Sequence, residues 1–504
     1  MKMIQQSLCP IIKTRRVFFF PALLVMLIAL VMAGCAVGPN YRRPEATAIP
    51  SAYTGVSKEW KIAVPQAHLP KGNWWKIFGD PELSRLEAEA AEANQDLKAA
   101  YARFGQARGS ADVAKSGLFP RVGASFLPLG QYDSENRPVG GKPGQTYDTF
   151  TLSFDLSYEL DLWGRVRRIV ESSKAQVQAA ADDVESVRLA IQAEVAADYL
   201  TIRALDADKA LLLSSIEVYQ KSLALVRNRR AGGMVSDLDV AQAETVLKTA
   251  ESQLPDNALQ RAKFEHALAV LTGKNASLFH LPERSLELKP LIIPPALPSE
   301  LLERRPDIAS AERRMAAGNA TVGAATAAFY PTIKFNGLAG LQSGNVGAVS
   351  AASLFDWQSR LWAIGPSVTL PIFQGGQLTA SLRQAKAAYE ETVARYRQTV
   401  LNAFADVENN LSAEYLLANQ YEQLIAASKA ARKQLQIASD RYEAGIVTYL
   451  EVATAQNTTL GVERSAMRVR GQQLVAAVGL IKALGGGWQQ VNNNGGRLDA
   501  ALPR

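Results

Sequence analysis

The only thiol and imidazole groups among 504 residues belong to Cys9 and Cys35 and to His68, His266 and His280. They are too few and too scattered for a disulfide framework, a thiolate zinc module or a histidine-rich metal site. Asp182 and Asp183 are adjacent, so on a helix they point in different directions and suit a solvated face better than paired acid–base work. Gly485, Gly486 and Gly487 lack the strand before and the helix after that a phosphate loop needs, and they look like a helix-ending hinge. The reactive group in the most telling context is the Cys35 thiol. A basic stretch, residues 1–16, precedes the apolar run VFFFPALLVMLIALV at 17–31, and Met32-Ala33-Gly34-Cys35 follows. The run falls short of the ~20 residues of a comfortable membrane span but suits the core of a signal peptide. Small residues directly before a cysteine resemble a bacterial lipobox, with Met32 at the usual leucine position. The chemistry expected is acylation of Cys35, by a diacylglycerol on sulfur and an N-acyl chain, with Cys9 removed in the signal peptide. Ala36 follows where a retention aspartate would hold a lipoprotein at the inner membrane. Two or more acyl chains anchor stably.

The length allows two to four ordinary domains, and 48% hydrophobic residues exclude a disordered chain. The net charge of +7 is partly that of the leader. Lys2, Lys13, Arg15 and Arg16 fall in the first 34 residues, which hold no acid, so the remainder carries +3. No basic stripe or patch points to a nucleic-acid partner.

The rest of the chain is written twice. The stretch from Arg229 to Val240 (RRAGGMVSDLDV) lines up with Arg441 to Val452 (RYEAGIVTYLEV) at an offset of 212. The same offset pairs Gly164 with Gly376, Lys174 with Lys386 and Val195 with Val407. An offset of 211 pairs Asp96-Leu97 with Asp307-Ile308 and Phe119-Pro120 with Tyr330-Pro331. Registers held this far indicate duplication. Each copy predicts a helix (81–117, then 306–329), a stretch with strand signals, and a run free of glycine and proline (165–231, then 377–444). Such runs exceed the 8–20 residues of an ordinary helix, and at 1.5 Å per residue each reaches ~100 Å. A glycine turn then leads into a shorter helix, 237–271 and 450–484, the first of them expected to kink or break at Pro255. The runs are alanine-rich with spaced aliphatics, which suits close helix packing with a wet outer side.

The strands decide the class. From Thr149 to Leu162 every second residue is apolar: Phe150, Leu152, Phe154, Leu156, Tyr158, Leu160 and Leu162 on one face, with Thr, Ser, Asp and Glu on the other. This perfect alternation is longer than a soluble strand of 5–6 residues and suits a barrel strand, apolar to lipid and polar to water. Weaker candidates begin at Val122, Ile333 and Trp362, with polar loops at 130–146 and 342–359. Four strands cannot close a barrel, and an open edge cannot sit in hydrocarbon. The chain must therefore associate; two copies give eight strands, three give twelve.

These residues resemble the TolC/OprM superfamily of outer-membrane efflux channels, in its NodT-type lipoprotein branch. The resemblance spans about 35–485 and rests on Cys35-Ala36-Val37-Gly38-Pro39-Asn40-Tyr41-Arg42-Arg43-Pro44, Trp74-Trp75 with Phe78, Asp80 and Leu83, Glu159-Leu160-Asp161-Leu162-Trp163-Gly164-Arg165, Glu303-Arg304-Arg305-Pro306-Asp307-Ile308, and Pro371-Ile372-Phe373-Gln374-Gly375-Gly376. It implies an α+β membrane protein: a homotrimer whose twelve-stranded outer-membrane β-barrel continues into a twelve-helix periplasmic α-barrel. Each chain would give four strands and four long or paired helical segments. The division implied is a signal peptide (1–34), a lipidated equatorial region (35–80), a first repeat (81–272), an equatorial linker (273–302), a second repeat (303–484) and a C-terminal equatorial tail (485–504).

The resemblance further implies a passive duct of a tripartite pump, exporting drugs or other toxic small molecules, with no catalytic residue, no metal and no cofactor beyond the lipid on Cys35. Its partners would be two further copies, a periplasmic adaptor, an inner-membrane proton-driven pump and outer-membrane lipid. Metal-ion efflux and type I secretion use the same architecture, and a structural envelope lipoprotein is the reading without a pore. Seven methionines with no Met/His cluster lend little to copper handling. Function would sit at the tips 229–240 and 441–452. Tyr442 and Asp239 match a pair that links inner and outer coiled coils in a closed gate, Glu451 matches an acidic ring position, and Leu450 a leucine constriction. Gly233, Met234, Val235, Gly445, Ile446 and Val447 would meet the adaptor. Val447 stands where one branch has a gating arginine, and Thr454 where a second aspartate is common, so a thinner closing network is expected. Ser236, Asp237, Asp239 and Thr448 equally have the chemistry of helix caps.

Overall fold

The computed structural model describes residues 36–44, 72–136, 144, 146–285, 305–345 and 351–486. In chain order the elements are α1 (Pro81–Ala93), α2 (Gln95–Ser116), β1 (Arg121–Tyr132), β2 (Thr146–Leu160), α3 (Arg165–Ala231), α4 (Asp237–Leu271), α5 (Pro306–Ala327), β3 (Thr332–Asn345), β4 (Arg360–Thr369), α6 (Gln377–Glu443) and α7 (Tyr449–Ala483). The two long helices have 67 residues each, and α4 and α7 have 35 each, so the duplication is carried into structure. No described helix is long and apolar enough to cross a membrane.

Three expectations need correction. The helix predicted over 81–117 is two helices. Asn94 ends α1, and its side chain accepts the Leu97 N–H at 3.0 Å while donating to the Leu271 carbonyl at 2.9 Å. Its amide competes with the helical bonds and wins. Pro255, expected to kink or interrupt its helix, does not interrupt α4, which runs through it as one 35-residue helix. The β2 alternation stops at Leu160, because the Asp161 carboxylate turns to accept the Val166 and Arg167 N–H groups at 3.0 and 2.8 Å and so caps the start of α3.

The described residues form two compact units, each drawing on both repeats. The first holds residues 36–44, 105–178 and 312–394. Its sheet is a fully antiparallel meander in the order β1-β2-β3-β4. The registers put Phe126, Leu152, Leu341 and Arg360 in one row, and Ala124, Phe154, Ala339 and Trp362 in the next. The even positions of β1, β2 and β4 and the odd positions of β3 thus make one apolar face. Small residues crowd the other: a Cβ on Gly123 would come within 2.8 Å of an Asp155 carboxylate oxygen, and one on Gly340 within 2.2 Å of the Leu152 carbonyl.

Residues 36–43 lie as a strap on this unit. The Val37 N–H donates to the Trp163 carbonyl at 2.9 Å, Arg168 donates to Asn40 Oδ1 at 2.8 Å, and Asn319 donates to the Pro39 carbonyl at 3.0 Å. Gly38, at φ +99°, packs so closely that a Cβ there would sit 2.6 Å from Gly323 Cα. Glycine is required on both counts.

The second unit holds residues 72–104, 179–285 with 305–311, and 395–486. One core gathers Trp74, Trp75, Leu83, Leu86, Tyr199, Ile202, Leu268, Leu281 and Leu480. A buried polar network beside it fastens residues 281–284. Arg203 and Arg261 both grip Asp206, at 2.9 and 2.8 Å, and donate to the carbonyls of Pro282 and Leu281. The Tyr199 hydroxyl and Arg284 both donate to Asp80 at 2.6 Å. A second core gathers Leu212, Tyr219, Val226, Val246, Leu247, Tyr442, Tyr449 and Val452 near the helix turns.

Candidate functional site at the hairpin tips

Both tips close with the same backbone device. Gly233 donates to the Arg230 carbonyl at 2.9 Å and Met234 to Arg229 at 2.9 Å; Gly445 donates to Tyr442 at 3.0 Å and Ile446 to Arg441 at 2.9 Å. The glycines take φ +72° and +74°, the left-handed conformation that ends such helices. Past the turn the copies diverge. Ser236 caps α4 in a reciprocal box with Asp239, whose carboxylate accepts the Ser236 N–H at 2.9 Å and its hydroxyl at 2.7 Å. Thr448 occupies the same position before α7 but makes no side-chain cap bond.

The duplicated positions pair differently too. In the first tip Arg230 and Asp237 form an exposed two-bond ion pair at 2.6 and 3.0 Å. Their counterparts, Tyr442 and Tyr449, are both buried and meet edge to face, with ring centroids 5.3 Å apart. Arg229 crosses to the second tip and donates to the last carbonyls of α6, Tyr442 O at 2.9 Å and Glu443 O at 3.0 Å, with its guanidinium 5.0 Å from the Tyr442 ring centroid. A cation at this helix end also meets the negative end of its dipole. In return Asp239 accepts the Tyr449 N–H at the start of α7, at 3.3 Å. Each tip therefore fastens an end of the other hairpin.

Below this, Ser222, Tyr449 and Gln456 form a buried triad across the hairpins. The Ser222 and Tyr449 hydroxyls are 3.0 Å apart, Tyr449 donates to Gln456 Oε1 at 3.1 Å, and Tyr219 donates to the Gln456 carbonyl at 3.0 Å. Sequence reasoning placed Arg229 and Tyr449 within the tip ranges without giving either a role, and it missed Ser222 and Gln456. The signal for Tyr449 lay in the repeat itself, where an aspartate in one copy is replaced by an aromatic in the other.

The sequence-predicted residues fall as follows. The Tyr442 hydroxyl is buried and has no hydrogen-bond partner within the described chain, while Asp239 is engaged by Ser236 and Tyr449. The two still feel one another. Burial and the nearby Asp239 charge raise the Tyr442 phenol above its ordinary value. Burial of Asp239 works against its charge, but the Ser236 and Tyr449 donors outweigh it and hold its carboxyl below the ordinary range. Leu450 is exposed, and Glu451 makes a loose 3.6 Å ion pair with Arg441. Both border an open groove of about 610 Å³ between α6 and α7 that Lys433, Ile437 and Thr454 also line. Met234 and Ile446 are exposed, whereas Val235 and Val447 pack half-buried on the tip core. Cys35 lies outside the described residues.

The model of one protein family, outer membrane efflux protein, matches residues 86–274 and again 297–486, one match per repeat. The chain belongs to that family. The efflux channel is 32% identical to the outer membrane protein OprJ of Pseudomonas aeruginosa over 94% of its own length and 98% of the relative's. It is 33% identical to the toluene efflux pump outer membrane protein TtgF of Pseudomonas putida, over 92% and 97%. Among solved structures, the CmeC outer membrane channel of Campylobacter jejuni superposes with a TM-score of 0.82 at 27% identity, over 91% of this chain and 96% of that one. The protein is a TolC/OprM-type outer-membrane channel of a tripartite efflux pump, reaching from the outer membrane into the periplasm.

Proposed function

We propose that three copies enclose one passive exit duct, each giving four strands to a twelve-stranded barrel and its long helices to a twelve-helix periplasmic tube. The sheet carries this reading. Its β1 and β4 edges have no strand partner among the described residues, and they run in opposite directions, so β4 of one copy set beside β1 of the next continues the antiparallel order. Hydrocarbon tolerates only a closed ladder. The lipid on Cys35 would add an anchor where the strap of residues 36–43 holds the mature N-terminus against the sheet unit.

The same reading makes the tips the periplasmic gate. Arg229, Asp239, Tyr442 and Tyr449 tie the two hairpins of one copy, while exposed Leu450 and the Arg441–Glu451 pair remain for closure between copies. Gly233, Met234, Val235, Gly445, Ile446 and Val447 would receive the periplasmic adaptor, behind which an inner-membrane proton-driven pump selects the cargo. Small toxic organic molecules are the cargo class we favour, in keeping with the toluene pump named for one relative. Purified acylated protein in planar bilayers tests the duct: discrete ion conductance is expected, and sealed bilayers at saturating protein would overturn it.

A further inference from the structure

The β3–β4 connection closes the end of the sheet away from the helices, which is the outer side of a channel that reaches into the periplasm. There Trp357 and Phe355 stand in solvent, 77% and 76% exposed. Its described residues are tied down: Ser353 and Ser343 hydroxyls meet at 2.7 Å, and the Ser359 hydroxyl donates to the Ser353 carbonyl at 2.7 Å. The first residue of β4, Arg360, occupies an apolar-face position, in the row of Phe126, Leu152 and Leu341 and two residues before exposed Trp362. Its guanidinium stacks on Trp357, 4.1 Å from the ring centroid. It has no ion-pair partner among the described residues, and the neighbouring Asp356 does not supply one.

A lone cation among lipid-facing apolar residues needs an anion. From Arg360 to Val368 the strand covers ~20 Å along the membrane normal at ordinary barrel tilt, about the height of the apolar band. Arg360 thus lies at the outer water boundary, where aromatic girdles gather. A planar guanidinium pinned by an indole keeps its edge free to hold phosphate through two parallel hydrogen bonds. The outer leaflet of a Gram-negative outer membrane is rich in phosphorylated glycolipid.

We propose that Arg360, Trp357 and Phe355 form a binding site for the phosphate of an outer-leaflet glycolipid of the lipid A type. Arg360 takes the phosphate, and the two aromatic rings lie against the sugar and acyl boundary. The proposal rests on the barrel reading above.

The test titrates full-length acylated channel in detergent with bisphosphorylated lipid A, dephosphorylated lipid A and phosphatidylglycerol, counting bound lipid by native mass spectrometry. Conductance is recorded in parallel for each variant. Wild type should bind bisphosphorylated lipid A about tenfold more tightly than either other lipid. Arg360→Glu should remove that preference, Trp357→Ala should weaken it about threefold, and Arg360→Lys should fall between, all at wild-type conductance. Equal binding of phosphorylated and dephosphorylated lipid A by the wild type would overturn the proposal. So would an unchanged preference in a conducting Arg360→Glu channel. A wild type without conductance would sink the barrel reading instead.

Discussion

Tyr442 is the residue on which chemistry and sequence expectation meet most sharply. Its hydroxyl is buried without a partner among the described residues, so replacement by phenylalanine removes a liability from the isolated protomer rather than a bond. Asp239→Ala, by contrast, frees both the Ser236 cap and the Tyr449 N–H that hold the tips together. The double variant should therefore raise resting conductance, with Asp239→Ala contributing most of the effect; wild-type conductance in both would remove these residues from the gate. The pH dependence has a definite sign. A depressed folded-state pKa means the Asp239 contribution is present above its unfolded value of about 3.9 and fades as pH falls through the lower folded value. Acid should loosen the wild-type tip and have less effect on Asp239→Ala, as read by conductance against pH. Glu87 shows the opposite case. Both its carboxyl oxygens are buried without partners among the described residues, and burial lifts it to about 9. The folded chain keeps it protonated while the unfolded chain ionises above about 4.3, so stability drains away as pH rises from there towards 9. Glu87→Gln should raise the melting temperature by roughly 5 °C at pH 8 and leave it unchanged at pH 4. Equal gains at both values would show that charge is not the cause.

At the scale of elements, the fastening of residues 281–284 centres on the Asp206 carboxylate. Asp206 accepts from Arg203 and Arg261 and from the Arg284 N–H at 3.1 Å, and both arginines are nearly inaccessible. Asp206→Ala leaves buried Arg203 without its carboxylate and Arg261 with Glu265 alone, a loss of about 3–5 kcal/mol. Limited proteolysis should then cut near residue 284 at temperatures where the wild type resists, and an unchanged cleavage pattern would contradict the network's role. None of this was legible beforehand, because Arg203, Asp206 and Arg261 lie on α3 and α4 and periodicity does not report which faces of two helices meet. The Ser222–Tyr449–Gln456 triad escaped for the same reason, Ser222 lying more than 200 residues from the other two across the duplication. What periodicity does report came through: the 67-residue α3 from its freedom from glycine and proline, and β2 from its strict alternation. The errors sit where a single side chain outbids the pattern. Asn94 splits a helix by taking over a backbone N–H and Asp161 stops a strand by capping the next helix, while Pro255 does not interrupt a 35-residue helix that can lose one bond.

For the whole molecule, the decisive feature is a sheet that ends twice. Pro128 in β1 and Pro366 in β4 occur only in the two outer strands, where a missing N–H is tolerated. Prolines alone do not protect an edge of ten or more residues, and such an edge in lipid leaves many donors and acceptors unsatisfied at several kcal/mol each. Closure by other copies is the solution proposed above, with the number of copies set by curvature. Cysteine pairs across the proposed seam count them directly. Ala363 of β4 and Ser125, Leu127 and Leu129 of β1 all lie on the face opposite the apolar one, so a scan pairing Ala363→Cys with each β1 position needs no exposure to lipid. At the matching register, oxidised membranes should give linked species of one, two and three chains in denaturing gels, and nothing larger, because a closed ring leaves no free edge for a fourth. A ladder that stops at two would mean an eight-stranded pore, too narrow for its interior to stay open once side chains fill it. A ladder running past three would mean the edges polymerise rather than close, and neither outcome is compatible with a twelve-stranded duct.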